Sequence, residues 1–129
     1  MSKICHTDKA PEAIGPYSQA VIAGDLVFTS GQIAINPASG AVESDTIEGQ
    51  TEQVCRNIEE LLKASGSDIT RVVKTVCFLR DMGDFAAFNT VYARHFTSCP
   101  ARSCVAVKEL PKNVLVEVDT VAEIKGEDK

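Results

Sequence analysis

Arg102 and Glu117 are the two side chains of this 129-residue chain whose types and setting point most directly to chemistry. They lie in two β-rich runs, Arg102–Glu109 and Val114–Ile124, that flank Leu110-Pro111-Lys112-Asn113. Read as a hairpin with a two-residue turn at Pro111-Lys112, these runs set Arg102 opposite Val121, Cys104 opposite Asp119 and Ala106 opposite Glu117. Opposed residues point to one side of a sheet, so Arg102, Cys104 and Glu117 are expected on a shared face. A four-residue loop keeps that parity and a three-residue loop destroys it. At ~3.4 Å per residue, Glu117 stands about 13 Å of backbone from the position opposite Arg102. That span suits a small substrate lying between the two groups better than a direct ion pair. A guanidinium binds a carboxylate through two parallel hydrogen bonds, and a glutamate can hold a water for attack and accept or return its proton.

Residue types alone leave a plainer reading open, because an Arg and a Glu on neighbouring strands are more often a surface or interface ion pair. Cys104 stands where a nucleophile could, yet a free cysteine usually packs as a small hydrophobe, and no His is near it in sequence. Pocket lining is therefore the reading favoured for Cys104. Cys5, Cys55, Cys77 and Cys99 complete an odd set with no CxxC spacing and are read as free thiols. His6 and His95 have no partner at metal-ligand spacing, so no metal site is expected.

The elements that must position these groups follow from periodicity. Ser18–Ile22 and Leu26–Ser30 read as two strands around Gly24-Asp25, and Asn36–Gly40 as a turn containing Pro37. Ile47, Thr51, Val54, Ile58, Leu61 and Leu62 recur at steps of four and three, the stripe of an amphipathic helix. Asp45 with Glu48 three residues on resembles a cap at its start, and Gly66 a stop near its end. Arg71–Arg80 fits a strand. Phe85, Phe88, Tyr92 and Phe96 give a second helix after Asp84, ended by Pro100, with its aromatics assigned to the core. The order ββ, α, β, α, ββ, without strict βαβ alternation, indicates an α+β domain spanning 1–129. In the last strand Val114, Val116, Val118, Thr120, Ala122 and Ile124 form an apolar face. The other face, with Leu115, Glu117, Asp119, Val121 and Glu123, is neither clean core nor clean solvent, and the excess sheet surface predicts burial in a closed trimer.

Composition narrows the function classes. Thirteen Lys+Arg against eighteen Asp+Glu give a net charge of −5, which opposes general nucleic-acid binding. No run reaches the ~18 apolar residues of a membrane helix. Met1–His6 lacks an apolar signal core, Glu127-Asp128-Lys129 matches no address signal, and the cytoplasm is the expected location.

Several motifs, in order and across most of the chain, resemble the RidA/YjgF family, whose members are also labelled endoribonuclease L-PSP. Pro100-Ala101-Arg102-Ser103-Cys104-Val105-Ala106-Val107, then Leu110-Pro111 and Val116-Glu117-Val118, resemble its C-terminal signature. Ala13-Ile14-Gly15-Pro16-Tyr17-Ser18-Gln19-Ala20 resembles its N-terminal motif, Thr29-Ser30-Gly31-Gln32-Ile33 its second, and Lys74–Leu79 its central strand. The segment His95–Pro100 is a few residues shorter than in common members, at the rim of the cleft near Arg102.

The resemblance implies a chorismate-mutase-like α+β fold, a mixed sheet with two helices on one face. It implies a homotrimer around a central β-barrel, with three clefts between subunits. The implied reaction is hydrolytic deamination of 2-aminoacrylate-type enamines and their 2-imino tautomers to 2-keto acids and ammonia, with no cofactor. By similarity Arg102 binds the substrate carboxylate and Glu117 orients or activates water. Tyr17, Ser30, Gly31, Asn89 and Cys104 carry over as pocket residues, although Tyr17 after Gly15-Pro16 reads equally well as a packing aromatic. RNA cleavage is the rival enzyme reading; the acidic balance and the absence of a His pair or basic-aromatic patch stand against it. A sensor or chaperone-like binder holding 2-keto acids at Arg102 is the third, and Glu117 favours the enzyme.

Overall fold

In the computed structural model, which describes residues 2–126, the first apolar stripe becomes helix α1, Ile47–Ala64. Val54, Ile58, Leu61 and Leu62 on that stripe are fully buried. The cap is Thr46, one residue later than the Asp45 expected. Thr46 stands in extended backbone and its Oγ1 accepts a hydrogen bond from the Gly49 amide at 3.1 Å. Gly66 turns the chain at φ 82°, as a stop signal should. The aromatic stripe forms α2, Phe85–His95, with Phe88 and Tyr92 buried. It ends before Pro100 is reached: Phe96 leaves helical geometry at ψ 65° and stacks its buried ring on Tyr92 at 4.3 Å between centroids.

Six strands build the main sheet: β1 (Lys3–Cys5), β2 (Ala20–Ala23), β3 (Leu26–Thr29), β6 (Val72–Leu79), β7 (Ala101–Ala106) and β8 (Val116–Glu123). A separate hairpin of β4 (Ile35–Asn36) and β5 (Ala41–Val42) carries the turn expected at Asn36–Gly40. The short β1, β4 and β5 add to the strands read from sequence. Met1 and residues 127–129, with the address-signal reading of the C-terminus, lie outside the described residues.

The spatial order is β1-β2-β3-β8-β6-β7, antiparallel throughout except for β6 and β7, which run parallel. This corrects the hairpin expected between the last two strands. β7 and β8 never pair; β6 lies between them. β6, α2 and β7 form one β–α–β unit, in which the helix supplies the long connection that parallel strands require. The stretch between β7 and β8 turns through Lys112 and Asn113, both at positive φ (53° and 58°), rather than through a tight two-residue hairpin.

The new topology reverses the parity that mattered most. Arg102 is level with Thr75 and Thr120, whereas Glu117 is level with Phe78 and Val105. Side chains alternate between faces along each strand, so Arg102 and Glu117 of one chain point to opposite sides of the sheet. The Arg102 side is the core face. Thr75, Cys77, Leu79, Val116, Val118, Thr120 and Ala122 are buried there against the helices. Its polar members are satisfied: Thr75 and Tyr92 hydroxyls lie 2.7 Å apart, and Thr29 and Thr120 hydroxyls 3.0 Å apart. The opposite side carries Val21, Phe28, Val76, Phe78, Val105 and Val121 among Lys74, Glu117 and Asp119. Phe28 and Val105 are 43% and 46% exposed, an apolar content unusual for a solvent face.

Candidate active site

On the outer face, Glu117 sits beside an irregularity that the sequence did not announce. The partner register steps by one residue between Phe28↔Val121 and Gln32↔Val118, leaving Ser30-Gly31 as a bulge next to β8. A cavity of about 410 Å³ opens there, lined by Tyr17, Ser30, Gly31 and Glu117 together with Pro11, Glu12, Ile14 and Ile33. Gly31 is required on steric grounds. A Cβ at this position would collide with the Glu117 carboxyl group, standing 2.8 Å from its Cδ. Gly31→Ala is expected to displace Glu117 and lower turnover at least about tenfold, with a small change in melting temperature; equal losses of both in parallel would mark Gly31 as a folding residue instead.

Ser30 Oγ donates to the Ser18 carbonyl at 2.6 Å, which uses its one proton and leaves the hydroxyl oxygen as an acceptor. Tyr17 is 49% exposed in the single chain, with its ring beside Gly15 and its hydroxyl accepting from the Ile14 amide at 3.4 Å. Gln19, unremarked as a functional position, secures this wall. It is buried, its Oε1 accepts from the Thr7 amide at 2.7 Å, and its Nε2 donates to the carbonyls of Thr7, Ala10 and Pro11. No local pattern distinguishes such a tie from an ordinary surface glutamine. Burial raises the Glu117 carboxyl above the ordinary glutamate range, and the neighbouring Asp119 raises it further.

Arg102 belongs to the other face. Its Nη1 donates to Asn89 Oδ1 at 2.7 Å, and its guanidinium carbon lies 4.9 Å from the Tyr92 ring centroid and 5.4 Å from that of Phe85. Phe85, Asn89 and Tyr92 share one side of α2 by their spacing of four and three. The aromatic stripe thus braces the guanidinium as well as filling the core, a second use that periodicity alone did not reveal. Among the described residues no carboxylate lies within 4.0 Å of Arg102. The cavity in front of it is about 530 Å³ and is lined by Asn89, Tyr92, Phe96, Pro100 and Arg102.

Cys104 follows on the Arg102 face, packed at the edge of the main core. Burial raises its thiol above the ordinary cysteine value, with Arg102 opposing, so the geometry offers no ready thiolate. Cys77, directly level with it, is pushed up to about 12 by burial. All five cysteines are free. His95 Nε2 and Glu52 Oε1, 2.9 Å apart, tie α2 to α1 and give that histidine a structural role. His6, read as partnerless, does gain neighbours: its ring and the carboxylates of Asp8 and Glu12 have ligand atoms within 4.8 Å of one another, all on exposed side chains.

A mixed sheet covered on one face by two helices, with an unneutralised arginine on one side and a recessed glutamate on the other, has clear relatives. Residues 7–124 match the family model described as Endoribonuclease L-PSP, and the chain belongs to this YjgF/RidA family. A RutC family protein of Haemophilus influenzae is 46% identical over 127 residues, covering 95% of this chain and 97% of that one. The chloroplastic Reactive Intermediate Deaminase A of Arabidopsis thaliana is 46% identical over 121 residues, 93% of this chain and 65% of the relative. The crystal structure of Escherichia coli TdcF with bound serine superposes with a TM-score of 0.90 at 38% identity, covering 95% and 99% of the two chains. Among the described residues no helix is long and apolar enough to cross a membrane.

Proposed function

We propose that the protein hydrolyses reactive 2-enamine and 2-imine intermediates of the 2-aminoacrylate and 2-iminopropanoate type to 2-keto acids and ammonia. The observation that carries this reading is Arg102: a guanidinium held by Asn89 and two aromatic rings, facing a cavity, with no carboxylate of the described residues within 4.0 Å to neutralise it. A fork so prepared matches the carboxylate that every such substrate and product carries. The Arabidopsis relative's name and the serine held by TdcF fit a small amino-acid-derived ligand.

The opposite orientations of Arg102 and Glu117 require two copies of the chain for one site. The half-exposed apolar face of the sheet offers the surface that such an assembly would cover, and a closed homotrimer with three clefts between subunits satisfies both needs. In that cleft Arg102 of one copy fixes the carboxylate, which sets the adjacent C2 of the imine against a water held by Glu117 of another copy. The water oxygen bonds to C2 as its proton passes to the carboxylate. The C2–N π pair moves to the nitrogen, which takes that proton from Glu117 to give a neutral carbinolamine. The hydroxyl proton then passes through Glu117 to the nitrogen as the C2–N bond breaks and the carbonyl forms, and a keto acid and ammonia depart. Tyr17, Ser30 and the space that Gly31 leaves free of a side chain shape the pocket around the reacting carbon, and Cys104 lines its Arg102 side. No resident cofactor enters this scheme. Five free cysteines accord with a reducing cytoplasm.

A coupled assay tests the reading: a PLP-dependent dehydratase generates the enamine, and keto-acid release is followed with and without the protein. Acceleration that Arg102→Ala abolishes is the expected result. Any ribonuclease activity that co-purifies should be indifferent to the same change. Robust RNA cleavage by highly purified protein that disappears with Arg102→Ala would reverse the ranking of the two activities.

A further inference from the structure

The outer face of the sheet brings together three charged groups that the reaction scheme has not yet used as a set. Glu117 and Asp119 lie two residues apart on β8 and therefore on one face, with backbone positions about 7 Å apart. Both side chains are half-buried. Lys74 on β6 is level with Val121, diagonal to Asp119 on the same face, and acts on the Asp119 carboxyl. On the same face β8 also carries Glu123, beyond Val121, while β3 presents Leu26 and Phe28 and β7 presents Ala101, Ser103 and Val105, none of them charged; in the proposed cleft Arg102 of another copy faces Glu117 across the substrate. The N-terminal segment adds Glu12 and the Tyr17 phenol at the cavity wall.

Resting on the deaminase reading above, we infer that Asp119 is a positioning residue for the proton on Glu117: its carboxylate, held on the same strand face and tempered by Lys74, keeps Glu117 basic enough to take a proton from water and return it to the leaving nitrogen. A carboxylate of ordinary acidity takes a proton poorly near neutrality, and a proton carrier works best when its affinity lies close to the operating pH. A like charge in a poorly solvated setting provides that adjustment without touching the substrate. The directions agree. Burial first and Asp119 second hold the Glu117 carboxyl above its usual range, while burial raises Asp119 and Lys74 lowers it. Within one chain no charge opposes the push on Glu117, whereas Lys74 opposes that on Asp119.

The sign of the test follows directly. Removing the negative charge makes Glu117 easier to ionise, so the acidic limb of the kcat/KM profile moves to lower pH in Asp119→Asn. The expected displacement is about one pH unit, the Coulomb effect of one partly neutralised charge at ~7 Å in a half-buried site. KM for the imine and the affinity for a 2-keto acid should hold steady, because Asp119 contacts neither. Lys74→Met should shift the limb the opposite way, which keeps the inference testable if Asp119→Asn folds poorly. Carbon-13 NMR of glutamate-labelled protein follows the carboxyl itself, with the Glu117 resonance identified by its loss in Glu117→Gln. A Glu117 midpoint that falls in Asp119→Asn and rises in Lys74→Met supports the inference. Unmoved midpoints overturn it while leaving the deaminase reading intact. Full turnover in Glu117→Gln overturns the inference and the role of Glu117 as proton carrier, while the deaminase reading, which the coupled assay tests, stands.

Discussion

Glu117→Gln is expected to lower kcat by about 10²–10⁴-fold while leaving 2-keto-acid binding, measured by calorimetry, almost unchanged. Gln keeps the size of Glu and much of its hydrogen bonding, and Gly31 leaves room for either side chain. What disappears is the basic oxygen that accepts the water's proton. An interaction made mainly in the transition state lowers kcat and kcat/KM together, whereas a ground-state contact shows in KM. Arg102→Lys should therefore behave in the reverse manner. An ammonium cannot reproduce the two-pronged recognition of a carboxylate, nor span Asn89, Tyr92 and Phe85 as the planar guanidinium does. Its KM and its keto-acid dissociation constant should rise by about tenfold or more, with kcat falling less. If Glu117→Gln retains full turnover, Glu117 is a structural carboxylate, and water must be activated by another group or by the substrate.

Mixing two inactive variants should restore activity, and this effect separates the assembled site from any single-chain alternative. A protomer with Arg102→Ala keeps its Glu117, and one with Glu117→Gln keeps its Arg102. In a closed ring of three, every mixed trimer contains one cleft that takes Arg102 from one variant and Glu117 from the other. Random reassembly of equal amounts therefore rebuilds about one quarter of the clefts from two nearly dead parents. Light scattering on the same samples should report a trimer at micromolar concentration. A stable monomer, or a mixture no more active than its components, would show that the opposite-face geometry is not bridged by a second copy. The pH dependence carries the same signature. With the Glu117 carboxyl raised by burial and by Asp119, activity that needs its ionised form is lost on acidification at a pH above the ordinary glutamate value of about 4.3.

The sequence by itself determined the local structure and the cast of residues. Steps of three and four placed α1 and α2, a density of Val, Thr, Cys and Phe placed β6, alternation placed the buried face of β8, and Gly24 and Gly66 marked turns because positive φ there favours glycine. The motifs around Tyr17, Ser30 and Arg102 selected the family and the residues worth testing. All of these signals are short-range, set by a residue's own backbone preferences and its neighbours within a turn or two. Only the tertiary structure decided which strands pair. β7 and β8 are consecutive in the chain, yet β6 inserts between them through the helix-linked parallel pairing. Nothing in the alternation of either strand encodes its partner, because a strand presents the same pattern to any neighbour that buries the same face. That one long-range choice turned Arg102 and Glu117 away from each other. It gave Arg102 its brace on α2 and Glu117 its seat against Gly31, where only the packed chain brings residues distant in sequence within reach.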